Sequence, residues 1–563
     1  MADTTVKDRC RRRLEGMKKN RSPFEGDWRQ ASQLAAPARS RFLNTDTNKG
    51  RVANRRLNNS HGIFAMRTLQ GGMTSGLSSQ SRPWFTLGLY DENLMENPEV
   101  KAWLEECEKR MYAFLALTNF YGAAKTGYLE LGLFGTDACV MVSHDQVGMV
   151  CHPLTAGEYW IAVNDEREIG ALYRDCSMSV VQAVQTFGKD KVSARIKGLY
   201  DKSQYDEIVQ FYQAIEQNDD FVGEGKMGLA GKKWRSVYWD ANDAANTEAI
   251  SIKGFDEQPF WASRWDTTGN DAWGQGPGHD ALPDLRELQL QTKRKAEATD
   301  MVIWPELISS TKAKLKRQPK AVTYASEIDV QKAVSVPAPV PYQTIAVVRE
   351  DIADLKNAIN EATFADLFMA ITNMQGIQPR NVEEIASRNE EKLTQLGPVI
   401  ERVNNEKLKV AIDRTFGIMQ RMQMLPPAPD AMRGSPEIKI TFVSILTQMQ
   451  RMVGLGAIER TVSFGGSLMA MYPDARHKLD PMAIMDEYAE RAGAPLKIIR
   501  STEDAQADSE ADAKQAQMAQ AAEMASKMAP PIDAVTNAAK VAASVPANGT
   551  PAVQDLVPLL PRP

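Results

Sequence analysis

Residues 66–89 read MRTLQGGMTSGLSSQSRPWFTLGL, an apolar helical run that passes through a Gly/Ser-rich stretch into Arg82-Pro83-Trp84-Phe85 and a strand-like end. Glycine closes helices because it enters left-handed backbone without a Cβ penalty, so a helix over residues 57–69 is expected to stop at Gly71-Gly72. Pro83 drives the preceding residue out of the α region and the chain into an extended path. Trp84 and Phe85 then bring a large apolar area to bury. Helix, glycine turn and strand in quick succession predict a mixed α and β region.

Working outward, residues 6–17 and 23–35 read as helices, the second with Ser22 as N-cap, Pro23 at its first position and Glu25 in its first turn. Residues 100–117 place Trp103, Leu104, Cys107, Met111, Phe114 and Leu115 at helical spacing. Asn119-Phe120-Tyr121 breaks that pattern before a helix over 123–133. Strands are expected at 138–143, 149–153 and 159–163, and further strands over 203–252 around a Gly-rich hairpin at 223–231. A strand at 260–265 leads through Trp273-Gly274-Gln275-Gly276-Pro277-Gly278 to a helix from Leu282 to about Met301, with Leu285 and Leu288 on one stripe. Residues 304–342 hold Lys312, Lys314, Lys316, Arg317 and Lys320 and the run Val336-Pro337-Ala338-Pro339-Val340-Pro341, where proline excludes helix. The returning helix, 343–371, sets Ile345, Val348, Ile352, Leu355 and Ile359 at spacings of three and four, a seam that wants a partner helix. After the polar gap 373–379, Asn381 and Glu384 form a capping pair for a long helix to about Met424, kinked at Gly397-Pro398. A strand at 438–443 and helices to about residue 497 follow.

Composition narrows the function. The chain has 563 residues, 43% hydrophobic and 25% charged, which suits a globular chain with a sizeable core. Its formal net charge of -5 excludes a uniformly basic nucleic-acid binder, so any DNA contact must be local. Five widely spaced cysteines fit reduced thiols, and no run approaches a membrane span of roughly 18 apolar residues. Each Gly-Lys pair, at Gly188, Gly225 and Gly231, is followed by Asp, Met or Lys, so no phosphate loop of Walker A type exists. The five histidines form no H-E-x-x-H, and Cys139, His144, Cys151 and His152 lack zinc-site spacing. No catalytic residue, cofactor or metal is expected, and the chain is read as not an enzyme. The methionines clustered over 419–485 read as gap-filling core or contact residues.

Several of these segments share an order with one family. The stretch 66–89, Asn119-Phe120-Tyr121, Leu133-Phe134-Gly135-Thr136 before a strand with Cys139-Val140, and the turn 273–278 before a long helix resemble the portal, or head-to-tail connecting, proteins of short-tailed, podovirus-type bacteriophages. Arg380-Asn381-Val382-Glu383-Glu384-Ile385, Leu396-Gly397-Pro398-Val399, Leu425-Pro426-Pro427-Ala428-Pro429, Gln448-Met449-Gln450-Arg451 and Leu479-Asp480-Pro481 continue the likeness, which spans about residues 20–500. Trp273 stands where tyrosine is more usual, and residues 193–252 match nothing in that pattern.

The resemblance implies an α+β, predominantly helical protomer with wing, stem, clip and crown, assembled as a ring expected to be a dodecamer. The implied divisions are 1–280 wing, 281–301 first stem helix, 302–342 clip, 343–371 second stem helix, 372–380 channel loop, 381–444 long wing helix and strand, 445–500 crown, and 501–563 a tail that is partly helical or disordered. It implies a channel for double-stranded DNA at one capsid vertex of the virion, acting in packaging, retention and ejection after assembly in the host cytoplasm. The implied partners are terminase, major capsid and scaffolding proteins, and tail adaptor or nozzle proteins, with no membrane. Leu285, Leu288, Ile345, Val348, Ile352, Leu355 and Ile359 become candidate subunit contacts, and Asn373, Met374, Gln375 and Gly376 a candidate channel loop, against the plainer reading of a helix-to-helix connection. Lys312, Lys314, Lys316, Arg317 and Lys320 are either a solvated loop or a contact for DNA phosphates or an acidic partner. The rival is another ring-forming head-tail adaptor or tail structural protein.

Overall fold

The computed structural model describes residues 5–37, 39, 57–91, 94–95, 97–223, 225–243, 248–304, 308–309, 334–335, 342–372, 390–432, 438–452 and 455–472, with scattered positions from 478 to 518. The chain divides into two units, Met1–Arg460 and Thr461–Pro563. Among its described residues the first unit mixes helices with four sheets; the second begins inside the helix Leu455–Met471, where Phe464 is exposed.

The stretch that opens the sequence reading folds differently from expectation at its glycines. The helix runs His61–Leu77, straight through Gly71, Gly72 and Gly76. Leu69, Gly72, Met73, Gly76 and Leu77 form its buried stripe, at the spacing of a helix face. A Cβ at Gly72 would overlap the Phe368 side chain, and one at Gly76 would lie 2.7 Å from Leu446. These glycines let other helices approach; they do not end this one. The strand after Pro83 is present as β1, Phe85–Leu89, headed by the buried Trp84 and Phe85. Tyr112 holds its start: its hydroxyl accepts from the backbone N–H of Trp84 at 2.9 Å and of Phe85 at 2.8 Å. The antiparallel partner is β12, Ile438–Phe442, with Phe85 opposite Phe442.

Helices Pro98–Leu117 and Phe120–Phe134 lead into a three-stranded sheet ordered β3-β2-β9, where β2 is Thr136–His144, β3 Gly148–Leu154 and β9 Phe260–Arg264. A five-stranded antiparallel sheet follows: β4 Tyr159–Val163, β5 Ile169–Ser179, β6 Ile208–Gln217, β7 Trp234–Asp240 and β8 Ser251–Phe255. Its inner strands are buried on both faces, while β8 has no buried residue. Trp160, Ala171, Tyr173 and Ala214 pack under the N-terminal helix Val6–Arg21 on Cys10, Leu14 and Met17, while Ile161, Leu172 and Ile215 turn to the main core. All five cysteines are buried free thiols.

Three further expectations change. Ser22 is no N-cap; its backbone is helical, and a short 3-10 turn Ser22–Phe24 joins Val6–Arg21 to Glu25–Ala35. The returning helix is two, Tyr342–Ala362 and Ala365–Thr372, broken where Phe364 takes φ 53° and sets its ring tilted against Trp265, centroids 6.0 Å apart. The long helix is Glu390–Val403 with Pro398 inside it, followed by a π-helical turn Asn404–Lys409 and the helix Val410–Arg421. The capping pair Asn381 and Glu384 lies outside the described residues.

The packing role of the glycines separates them by position. Gly72→Ala should destabilise the protein by about 1–3 kcal/mol through overpacking, whereas Gly71→Ala, with nothing within 4 Å of the added Cβ, should stabilise it by about 0.5–1 kcal/mol. Equal effects in urea unfolding would refute the close-packing account.

Candidate functional site

The helix Leu282–Ile303 starts from a turn made almost wholly of backbone. Gly276 and Gly278 lie against the main chain of Leu131, Gly132 and Leu133, and Gly274 against that of Gly135, leaving no space for a Cβ. Gly274 donates its N–H to Thr136 Oγ1 at 2.9 Å, and Trp265 donates its N–H to the Gly135 carbonyl at 2.9 Å. The glycine spacing in 273–278 is therefore a steric requirement of fixing the helix origin to the end of Phe120–Phe134. Trp273 is buried in edge contact with Trp28, ring centroids 4.9 Å apart.

The first turns of this helix are rooted in the body. Leu282, Leu285 and Leu288 join a buried cluster with Trp28, Ala35, Ile352 and Ile359, so the helix packs on the returning helix Tyr342–Ala362 of the same chain. Gln289 Oε1 accepts from the backbone N–H of Asn58 at 2.8 Å and of Asn59 at 3.0 Å, and its amide donates to the Asn59 carbonyl at 2.7 Å. A His61 ring nitrogen lies 3.2 Å from the Lys356 carbonyl, and burial holds the pKa of His61 below its ordinary value.

Beyond that footing the hairpin stands clear of the body. No described residue over 290–304 or 343–351 is buried, and Leu290 is 46%, Val347 56% and Ile303 61% exposed. Past the helices, β10 (Ile308–Ser309) pairs antiparallel with β11 (Val334–Ser335), bringing the two strands of the excursion together.

A second feature ties the long C-terminal helix to the same footing. Lys407, on the π-helical turn, reaches Asp137 at the start of β2, Nζ to Oδ2 2.7 Å, with both side chains fully buried. Lys407 also donates to the Ala124 carbonyl at 3.3 Å and sits 3.9 Å from the Tyr128 ring centroid. Trp261 Nε1 donates to Asp137 Oδ2 at 3.2 Å, and the Ser263 hydroxyl donates to Oδ1. Burial lowers the pKa of Lys407, opposed by the carboxylate beside it. A side chain at Gly127 would collide with this pair. The adjacent Glu406 accepts the backbone N–H of Arg264 at 2.9 Å and its guanidinium Nε at 3.1 Å.

The candidate residues from the sequence sort into three groups. Leu285, Leu288, Ile352 and Ile359 are buried within this chain, where the first helix of the hairpin packs on the second. The physical reason is that the two helices fold back on each other and satisfy the apolar stripe locally. Ile345, Val348 and Leu355 are half-buried along it. Lys312, Lys314, Lys316, Arg317 and Lys320, and Asn373, Met374, Gln375 and Gly376, lie outside the described residues. The sequence reading missed Lys407 and Asp137, because 270 residues separate them and neither belongs to a recognisable motif.

Among the described residues no group of three or more His, Cys, Asp or Glu side chains is placed to hold a metal, and no helix is long and apolar enough to cross a membrane. The buried charges are held in pairs and networks that join elements.

The pair should behave as an uncompensated charge when halved. Lys407→Met or Asp137→Asn should each cost about 3–5 kcal/mol in denaturant unfolding, and the double substitution clearly less than the sum. Additive losses would mean that the two residues do not act as a unit. Glu130, on the helix Phe120–Phe134, supplies a pH test. It is fully buried, accepts from Thr155 Oγ1 at 3.0 Å and from the Ala156 N–H at 3.2 Å, and burial pushes its pKa up to about 7. With the folded value above the unfolded one, its stabilising contribution is complete below about pH 4.5 and is lost as pH rises through about 7. Stability should fall by on the order of 3 kcal/mol between pH 4 and pH 8, and Glu130→Gln should flatten that slope in thermal unfolding.

Comparison with known proteins covers nearly the whole chain. A family model described as bacteriophage head to tail connecting protein matches residues 7–499. The chain is similar to a protein named portal protein from Salmonella phage epsilon15, 36% identical over 524 residues that cover 92% of this chain and 93% of that one. It is also similar to a probable portal protein from Bordetella phage BPP-1, 32% identical over 503 residues, 89% of this chain and 90% of that one.

Proposed function

The chain belongs to the bacteriophage head-to-tail connecting family, and we propose from that premise that it is the portal subunit of a tailed phage, assembled as a ring, expected to be a dodecamer, at one capsid vertex. The observation that carries this reading is the hairpin of Leu282–Ile303 and Tyr342–Ala362, rooted in the body at one end and, among the described residues, without a buried side chain over its far half. A helix pair of that length with exposed leucine, valine and tryptophan is poorly stabilised in water alone. Side-by-side packing in a ring covers it and leaves a central passage.

On this reading the hairpin is the stem, residues 302–342 the clip, residues 1–280 and 381–444 the wing, 445–500 the crown and 501–563 a tail. The loop 372–380 borders the channel. Double-stranded DNA passes through during packaging and ejection. The basic residues Lys312, Lys314, Lys316, Arg317 and Lys320 meet phosphates or an acidic surface of terminase or a tail adaptor, and capsid and scaffolding proteins surround the ring. The net charge of -5 suits a conduit, since a uniformly basic lining would hold each phosphate it met. The role is that of a structural connector and not of an enzyme.

Electron-microscope imaging of the purified 62.4 kDa chain, with particle-mass determination, should show rings with a central hole; persistent monomers under assembly-promoting conditions would overturn the proposal. Deleting residues 373–376 should leave rings intact and impair DNA packaging or retention, and unchanged packaging would remove that loop from the channel. Replacing Lys312, Lys314, Lys316 and Arg317 with Ala should weaken terminase or tail docking at low salt, with unaltered docking returning them to a solvated loop.

A further inference from the structure

On the sides turned away from their buried seam, the middle turns of the two helices of the hairpin carry opposite charge, with exposed Glu287 and Asp300 at the edges of the first helix's stripe, toward its two ends. Along Leu282–Ile303, the exposed residues Arg286, Leu290, Lys293, Arg294, Glu297 and Met301 fall within an arc of about 100°. Along Tyr342–Ala362, the exposed residues Val347, Glu350, Asp354, Asn357 and Glu361 recur at spacings of three and four on the side opposite Ile352 and Ile359, with Asp351 beside them. Each side is a helix-packing stripe by its spacing. The first is cationic at its centre and the second anionic.

Little within the chain neutralises these charges. Lys293 meets Glu297 at 3.7 Å on its own helix with both side chains more than half exposed, Arg286 reaches Asp27 only at 4.0 Å, and Glu361 lies 3.8 Å from Lys392. Among the described residues, Arg294, Glu350, Asp351 and Asp354 enter no ion pair. The hairpin is antiparallel, so Lys293-Arg294 and Glu350–Asp354, each near the middle of its helix, stand at about the same height.

We infer that the outer side of the first helix is an interface for the outer side of the second helix in a neighbouring copy of this chain. The inference rests on the ring proposed above. Rotation about a ring axis carries each residue to the next subunit at unchanged height, so Lys293 and Arg294 meet Glu350, Asp351 and Asp354, while Leu290 and Val347 bring apolar area beside them. The two surfaces differ in sign. The contact is therefore head-to-tail, and an isologous pairing through either surface would set like charges together. Charge thus selects ring closure over two-fold dimers.

The test uses the full chain and two charge reversals, Lys293→Glu with Arg294→Glu, and Glu350→Lys with Asp354→Lys, read by native mass spectrometry across protein concentration. All four side chains are exposed, so thermal unfolding of each variant should match the parent. Each variant alone should need at least about tenfold more protein for half-assembly than the parent. The combined fourfold variant should assemble again, and an equimolar mixture of the two variants should form rings in which they alternate. Parent and variants assembling at the same concentration would overturn this interface while leaving the ring in place, as would failure of both the fourfold variant and the mixture to recover. A parent that stays monomeric throughout would overturn the ring itself, and this interface with it.

Discussion

The buried ion pair between Lys407 and Asp137 is the constraint on which the first unit depends. Removing two charges from water is costly, and an ion pair in a core survives only with close geometry and further hydrogen bonds. Both conditions are met here: Trp261, Ser263 and the Ala124 carbonyl complete the coordination. The partners are 270 residues apart in the chain. The pair therefore fastens the π-helical turn Asn404–Lys409 to β2, to β9 and to the helix Phe120–Phe134 at one point. Gly127 is required there because any side chain would enter the space that the pair occupies.

From that point the path to the hairpin is short and made of backbone. The end of Phe120–Phe134 carries Gly135, whose backbone Gly274 lies against and whose carbonyl accepts from Trp265; Gly274 donates to Thr136 Oγ1, and the turn 273–278 sets the origin and direction of Leu282–Ile303. Backbone contacts and a desolvated ion pair leave less room for adjustment than long side chains do, so the origin of the hairpin is closely fixed relative to the sheets.

Much of the fold was legible in local pattern. The helix predicted at 100–117 is found at Pro98–Leu117, and the strand at 159–163 has the bounds Tyr159–Val163. Alternation also marked β2 and β3. It failed at β5, where the run Ile169–Ser179 is buried almost continuously, and a strand covered on both faces shows no period of two. Residues 193–252, which matched no part of the family pattern in the sequence, hold a short helix Ala194–Asp201 and supply β6, β7 and the start of β8 to the same sheet. For the candidate site, the hairpin's seam was visible from its three-and-four spacing, but its partner was not. Spacing shows that a stripe must be covered and does not say by which molecule.

The sequence by itself determined the element types, the family likeness, the two long helices around a basic excursion and the absence of phosphate-loop and zinc-site motifs. These follow from interactions between residues near in sequence, which leave periodic traces. Tertiary structure alone decided that Gly72 and Gly76 admit neighbouring helices instead of ending one, that β1 pairs with β12 across some 350 residues, and that Lys407 neutralises Asp137. Each is a contact between distant segments. A glycine, a strand edge or a charge carries no mark of its partner in the local pattern; only the folded packing supplies one.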